Sequence, residues 1–292
     1  MALEKVNFFD EINRNKRNSL LLLIFMFLIF LALIAVFTFA LRLGVCGLAF
    51  GFIVLVLYAI MAHASGDKIV LSLSKAILAD EKKYAALHNH VEGIAIAAQV
   101  PKPKVYIIQD RAPNAFATGR DPEHASIAVT TGLLEICNRQ EVEGVIAHEM
   151  SHVANFDIRF MMYSVVFAGA IVLLADIMLR SSLRSGSRKG GGGLLIIAIF
   201  FAVLAPIFSE LIRLAISRQR EYLADANGAR LTRYPEGLAS ALKKIAKHGS
   251  VVKSATDATA PLYFAKPTKQ GMIHLFSTHP PVEDRVKRLR AM

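Results

Sequence analysis

Cysteine is scarce in this chain, with only Cys46 and Cys137 among 292 residues. Two thiols cannot build a disulfide framework. One falls in a long apolar run and the other among charged residues, so they are not expected to pair, and a reducing compartment suits both. Charge is missing over long stretches. Residues 19–41 carry no charged side chain, and neither do residues 44–62. Each run is long enough to cross a hydrocarbon core about 30 Å thick. Residues 160–179 and 194–212 are two further runs, each with one acid, Asp176 and Glu210. An ordinary soluble domain does not carry its apolar residues this way. The first run is too long for a cleaved signal peptide, lacks a small-x-small cleavage site and is followed at once by another, so it reads as a signal anchor. A nucleic-acid recognition motif is absent as well, and the membrane anchor argues further against such a partner.

Basic residues set the orientation. Arg14, Lys16 and Arg17 precede the first run, which places the N-terminus in the cytoplasm of a multi-pass plasma (inner) membrane protein. The chain returns to the cytoplasm near His63, so residues 64–158 face the cytoplasm. Arg180, Arg184, Arg188 and Lys189 in the second turn resist translocation, but the first hairpin is expected to dominate, and Gly190–Gly193 suits a flexible turn. Asp176 with Arg180 and Glu210 with Arg213 have helix-end ion-pair spacing. The formal net charge of +11 is concentrated at the C-terminal end, where residues 213–292 hold 15 Lys and Arg against 6 Asp and Glu. Beside a bilayer, that surface favours anionic lipid headgroups.

The most informative stretch is His148-Glu149-Met150-Ser151-His152. Histidines at i and i+4 share a helix face, so both imidazoles can reach one Zn²⁺ at about 2.0–2.1 Å. Val142, Val145 and Ile146 precede them at helical spacing, and Asn138 or Arg139 is a fitting start. A catalytic zinc usually takes three protein ligands and a water. Glu221 is the best third candidate, at i to Asp225 on a helix continuing from the fourth run. Asp225 would then accept a hydrogen bond from a ligand imidazole. Asp157, five residues after His152, is expected to have rotated away from the ligand face, while His279 stays open as a ligand. Glu149 is the base expected to take the proton of a water acidified by the metal. His279, Tyr222 or Arg220 could donate to the developing oxyanion. Residues 114–119, with Asn114, Ala115, Phe116 and Ala117 leading, read as a short strand whose free edge could pair an extended substrate.

Together His-Glu-Met-Ser-His, Ser217-Arg218-Gln219-Arg220-Glu221-Tyr222-Leu223-Ala224-Asp225, Ser277-Thr278-His279-Pro280-Pro281 and Asn114-Ala115-Phe116-Ala117-Thr118-Gly119 resemble the HtpX-type membrane metalloproteases. These belong to the gluzincin clan, which includes the CAAX prenyl proteases. The resemblance implies one zinc per chain held by His148, His152 and Glu221, with Asp225 and Arg220 supporting the ligands. It also implies polypeptide substrates, namely misfolded or damaged membrane proteins cleaved as quality control under stress.

The expected architecture is mainly α, with four transmembrane helices and a zincin-like α+β protease domain containing a small sheet. Residues 1–63 form the first hairpin, 64–158 the first protease segment, 159–212 the second hairpin and 213–292 the second protease segment. Helices are expected across residues 71–100, strands near 104–108 and 127–130, and a C-terminal helix from Pro281. Three other classes fit less well. A site-2-type intramembrane protease would need a Leu-Asp-Gly tripeptide, which is absent. A transporter would want internal repeats and mid-span acids in several helices. A zinc-dependent membrane scaffold would not need Glu149.

Overall fold

The computed structural model describes residues 8–40, 43–167, 169–170, 218–248 and 280–292, with Val252, Thr259 and Leu262–Phe264. The chain starts with two long apolar helices, α1 (Phe8–Ala40) and α2 (Gly44–Leu73). Both are long and apolar enough to cross a membrane. They pack closely because Gly51 leaves room for Ile34, whose Cγ2 lies 2.4 Å from where a glycine-replacing Cβ would stand. Their outer faces, including Leu21, Leu28, Phe50, Ile53 and Leu57, are exposed. Such a broad apolar surface is unfavourable in water and suited to lipid. Near the end of its apolar stretch α2 bends at Ser65, which leaves helical geometry with φ −138° and ψ 17°.

A four-stranded mixed sheet follows, in the order β1-β2-β4-β3. It comprises β1 (Ala76–Leu78), β2 (Lys104–Ile108), β3 (Ala115–Gly119) and β4 (Ala125–Thr130). The last three match the expected strands. β1 falls inside the span expected to be helical. There, Lys75 takes a left-handed φ of 53° and ends α2, and Asp80 accepts from the backbone of Lys82 and Lys83. This turn separates β1 from α3 (Ala85–Ala98). β2 and β4 run parallel at the centre, while β1 and β3 flank them antiparallel.

Strand alternation sends side chains to opposite faces, and here the two faces serve different cores. Val105, Ile107, Ala115, Ala117, Ile127 and Val129 pack with α3 and the helices of the C-terminal segment. Ile108, Phe116 and Ala128 pack on the other side, with Leu22, Met26 and Phe30 of α1, with α2, and with helical residues 157–167. The sheet is thus a partition between a core that includes the two long apolar helices and a core that does not. Two of the four expected spans lie among the described residues. Of the second hairpin only its first turns do, and the Asp176 and Glu210 pairs lie outside them.

After α4 (Thr131–Ile136) comes the metal-motif helix α5 (Arg139–Ala154). The C-terminal segment adds α6 (Arg218–Thr232), α7 (Pro235–His248) and α8 (Val282–Arg290), the last starting after Pro281 as expected. Glycines let α5 sit against its neighbours. A Cβ at Gly144 would lie 2.7 Å from the Leu238 backbone nitrogen in α7. Gly144→Ala is therefore expected to cost about 1–3 kcal/mol by overpacking. Thermal unfolding in detergent would read this as a lower melting temperature, and an unchanged one would show that α5 and α7 are not held in such close contact.

Candidate metal centre

α5 begins with a capping box. Asn138 accepts from Glu141 N at 2.9 Å, and Glu141 accepts from Asn138 N at 2.7 Å. Glu141 also receives Lys244 and Ser240 from α7, so the cap that starts the helix also ties it to a neighbour. Burial works against the Glu141 charge, but these hydrogen bonds hold its carboxyl below the usual range.

One helical turn brings the His148 and His152 Nε2 atoms to 3.2 Å from each other, with their rings nearly perpendicular. α6 supplies Glu221, whose oxygens lie 3.8 Å from His148 Nε2 and 3.5 Å from His152 Nε2. Ligands bonded tetrahedrally at about 2.0–2.1 Å stand roughly 3.3 Å apart, so all three side chains can hold one metal ion without rearranging the helices.

The far side of each imidazole is anchored. His148 Nδ1 lies 3.0 Å from Asp225 Oδ1, and His152 Nδ1 lies 3.0 Å from Asp157 Oδ2. With each Nδ1–H donating to a carboxylate, both Nε2 lone pairs face the same point. Burial and the nearby Arg285 charge hold His148 down to about 4, against the pull of Asp225. Burial also disfavours charge on His152, but the Asp157 hydrogen bond and the charges of Glu221, Asp157 and Glu149 push it up to about 9. The two imidazoles are thus pushed in opposite directions, and a bound cation competes with protons for their Nε2 atoms.

The charge balance also calls for a cation. Glu149, Asp157, Glu221 and Asp225 are all buried, and the buried guanidinia facing them among the described residues are Arg220 and Arg285. Carboxylates thus outnumber guanidinia among the described residues here, a setting that suits a cation. Among the described residues, one other group has metal-ligand character, Asp121, Glu123 and His124. It is largely exposed, and His124 is already engaged by Asp121 and Arg120.

Several functional positions depart from the sequence expectation. Asp157 does not rotate away. α5 ends at Ala154, and Phe156 turns the chain with a left-handed φ of 61°, so helical geometry no longer governs where Asp157 points. Arg220 lies with its Nε 3.6 Å from Asp157 Oδ1. Arg285 of α8 was not singled out from the sequence, yet it is fully buried. It donates to both oxygens of Asp225, at 2.8 and 2.6 Å, and its Nη1 stands 3.6 Å from Glu221. A signal was present, because Arg285 falls on the apolar stripe of Val282, Val286 and Leu289 in an otherwise charged helix.

β3 is an edge strand, but not a free one along its whole length. Thr130 N donates to Asn114 O, so strand alternation turns the Ala115 carbonyl outward, where Phe264 N donates to it at 2.8 Å. Asn114, Ala115, Phe116 and Ala117 are buried. The chain's own segment therefore satisfies part of the edge expected to be open. The Phe264 ring packs edge-on against His148, 5.0 Å between centroids, and lies under the Arg285 guanidinium. Tyr222 is covered by Arg288 at 3.7 Å. His279 lies outside the described residues.

Residues 81–292 match the model of peptidase family M48. The chain is 44% identical over 296 residues to a protease HtpX homolog of Dictyoglomus thermophilum, covering 99% of this chain and 96% of the relative. It is 46% identical to a protease HtpX homolog of Caldanaerobacter subterraneus, covering 95% of each. The crystal structure of S. mikatae Ste24p shares the fold with a TM-score of 0.50 at 17% identity. That match covers 88% of this chain and 61% of Ste24p, so the present chain spans less than two thirds of that protein.

Asp225→Asn keeps the shape but removes the charge that anchors both His148 and Arg285. Zinc affinity, measured by competition with a chromophoric chelator, is expected to fall about 10–100-fold. Wild-type affinity in that variant would mean Asp225 does not hold the ligand.

Proposed function

The chain belongs to peptidase family M48, and on that premise we propose that it is a membrane-bound zinc endopeptidase acting on misfolded or damaged membrane proteins. The observation that carries this reading is the convergence of His148, His152 and Glu221 on one point, with Glu149 buried and its charge felt by His152. The His₂Glu donor set suits zinc. Zinc, when bound, supplies Lewis acidity and lowers the pKa of a bound water toward about 7.

The chain's own residues do the rest. Glu149 follows His148 on α5, and its charge is felt by both His152 and Arg285. It accepts the proton of the attacking water and passes it to the leaving amine. Asp225 and Asp157 hold the two imidazoles with their Nε2 atoms turned inward, and Arg220 supports Asp157. Arg285 offsets the charge of Asp225 and Glu221, which keeps the carboxylates from repelling one another. His279 or Tyr222 supplies a hydrogen bond to the developing oxyanion. An extended substrate pairs along β3 through residues 114–117, taking the place of the Phe264 contact or pairing beyond it. Main-chain pairing reads few side chains and suits the broad specificity that quality control demands.

The setting supports the same reading. The N-terminal turns of α1 meet the segment just after the metal helix, with the Lys16 ammonium 4.3 Å from the Phe156 ring centroid. The catalytic region then lies on the side of the membrane that the basic residues preceding the first run assign to the cytoplasm. The quality-control role itself rests on the resemblance to HtpX-type proteases.

The test is cleavage of casein by detergent-purified chain, chelated and then given zinc, beside Glu149→Gln and Glu221→Ala. Glu149→Gln is expected to keep stoichiometric zinc and lose hydrolysis by about 10²–10⁴-fold. Glu221→Ala is expected to lose zinc itself. Near-normal hydrolysis by the first variant would remove Glu149 from its role, and full zinc in the second would move the third ligand elsewhere. Zinc bound by the wild type with no cleavage would favour a scaffold.

A further inference from the structure

Asn15 is a polar residue near the start of the first apolar helix, and it is almost wholly buried. Its side-chain amide points at the metal-motif segment. Nδ2 donates to Asn155 O at 2.8 Å and to Asp157 Oδ1 at 2.8 Å, which uses both of its hydrogens. The other Asp157 oxygen, Oδ2, is the one that meets His152 Nδ1 at 3.0 Å. A continuous chain of hydrogen bonds therefore runs from the membrane helix to a metal ligand.

The turn between these partners is strained. Phe156 holds a left-handed φ of 61°, a conformation that for a bulky residue persists only where its surroundings impose it. Two cations grip its ring, Lys16 at 4.3 Å and Arg159 at 5.0 Å. Asn15 and Lys16, neighbours on α1, thus hold all three residues of the turn 155–157. Without that turn, Asp157 would not come under His152.

We propose that Asn15 is a positioning residue of the metal centre: it fixes Asp157, which fixes the orientation and tautomer of His152, so that the first membrane helix is a working part of the site. The proposal rests on His152 being a metal ligand. Partners of this kind beyond the ligands change metal affinity by about 10–100-fold, and Asn15, one bond further out, belongs at the lower end.

The experiment uses the full chain in detergent with Asn15→Leu, which keeps the γ-branched shape, removes the amide and suits a membrane helix. Zinc affinity is expected to fall about tenfold, and the visible bands of the Co²⁺-substituted protein are expected to shift, because they report ligand geometry. Ser19→Ala, which removes a hydrogen bond to the Asn15 carbonyl within α1, is expected to change neither. Lys16→Met releases only the grip on Phe156 and is expected to weaken zinc about two- to fivefold. In an Asp157→Ala background, Asn15→Leu is expected to have no further effect on zinc.

Wild-type zinc affinity and unchanged cobalt bands in Asn15→Leu, with only the melting temperature lowered, would reduce the contact to packing and overturn the proposal. A full tenfold loss persisting in the Asp157→Ala background would overturn the route through Asp157. If Asn15→Leu does not fold, Asn15→Ala takes its place, and unchanged zinc affinity and cobalt bands in that variant overturn the proposal. Zinc binding that survives His152→Ala in the otherwise native chain would overturn the ligand assignment, and the proposal with it.

Discussion

Everything at the centre of this protein depends on two carboxylates holding two imidazoles from behind. Asp225 and Asp157 each take an Nδ1, and the Nε2 atoms are left 3.2 Å apart and facing each other. Such a pair is unfavourable unless a proton or a cation sits between its members. Burial sharpens the demand, because uncompensated negative charge costs more in a low-dielectric interior than in water. The fold therefore does more than bring ligands together. It gathers buried carboxylates and two facing imidazoles into a place suited to a cation.

The remainder of the architecture serves to hold those four groups. α5 carries both histidines, but the residues that orient them come from distant parts of the chain. Asp225 and Glu221 come from α6, Arg285 from α8 and Asn15 from α1. The sheet separates a core that includes the two long apolar helices from the core that packs α3, α5, α7 and α8. The metal site lies where these two bodies meet. One of the two long apolar helices reaches Asp157, the residue behind His152.

Much of the site was legible beforehand because helical geometry carries it. Two histidines four apart must share a face, and so must Glu221 and Asp225. Strands near 104–108 and 127–130 were legible from their β-branched residues, the second starting two residues earlier in the structure. Asp157 was misjudged, because the helical rule was extended past the end of the helix, where Phe156 changes the direction of the chain. β1 was missed because three residues carry too little pattern to be distinguished from the helix ends around them. Arg285 and Asn15 were missed for a different reason. A single polar residue on an apolar face signals that something is buried with it, but not what.

The sequence by itself determined the chemistry: which residues can ligate, which can take a proton, and which runs are apolar enough for a membrane. These are properties of residue type and of spacing within one helix or one strand, and they survive without knowledge of the fold. Only the tertiary structure decided which acid stands behind which histidine, that Phe264 engages the strand edge, and that Asn15 of α1 reaches Asp157. Those partners lie between 5 residues apart, for His152 and Asp157, and 149, for Ala115 and Phe264. Except for the short turn at Phe156, no local periodicity connects them, and they meet only because packing closes the loops between them.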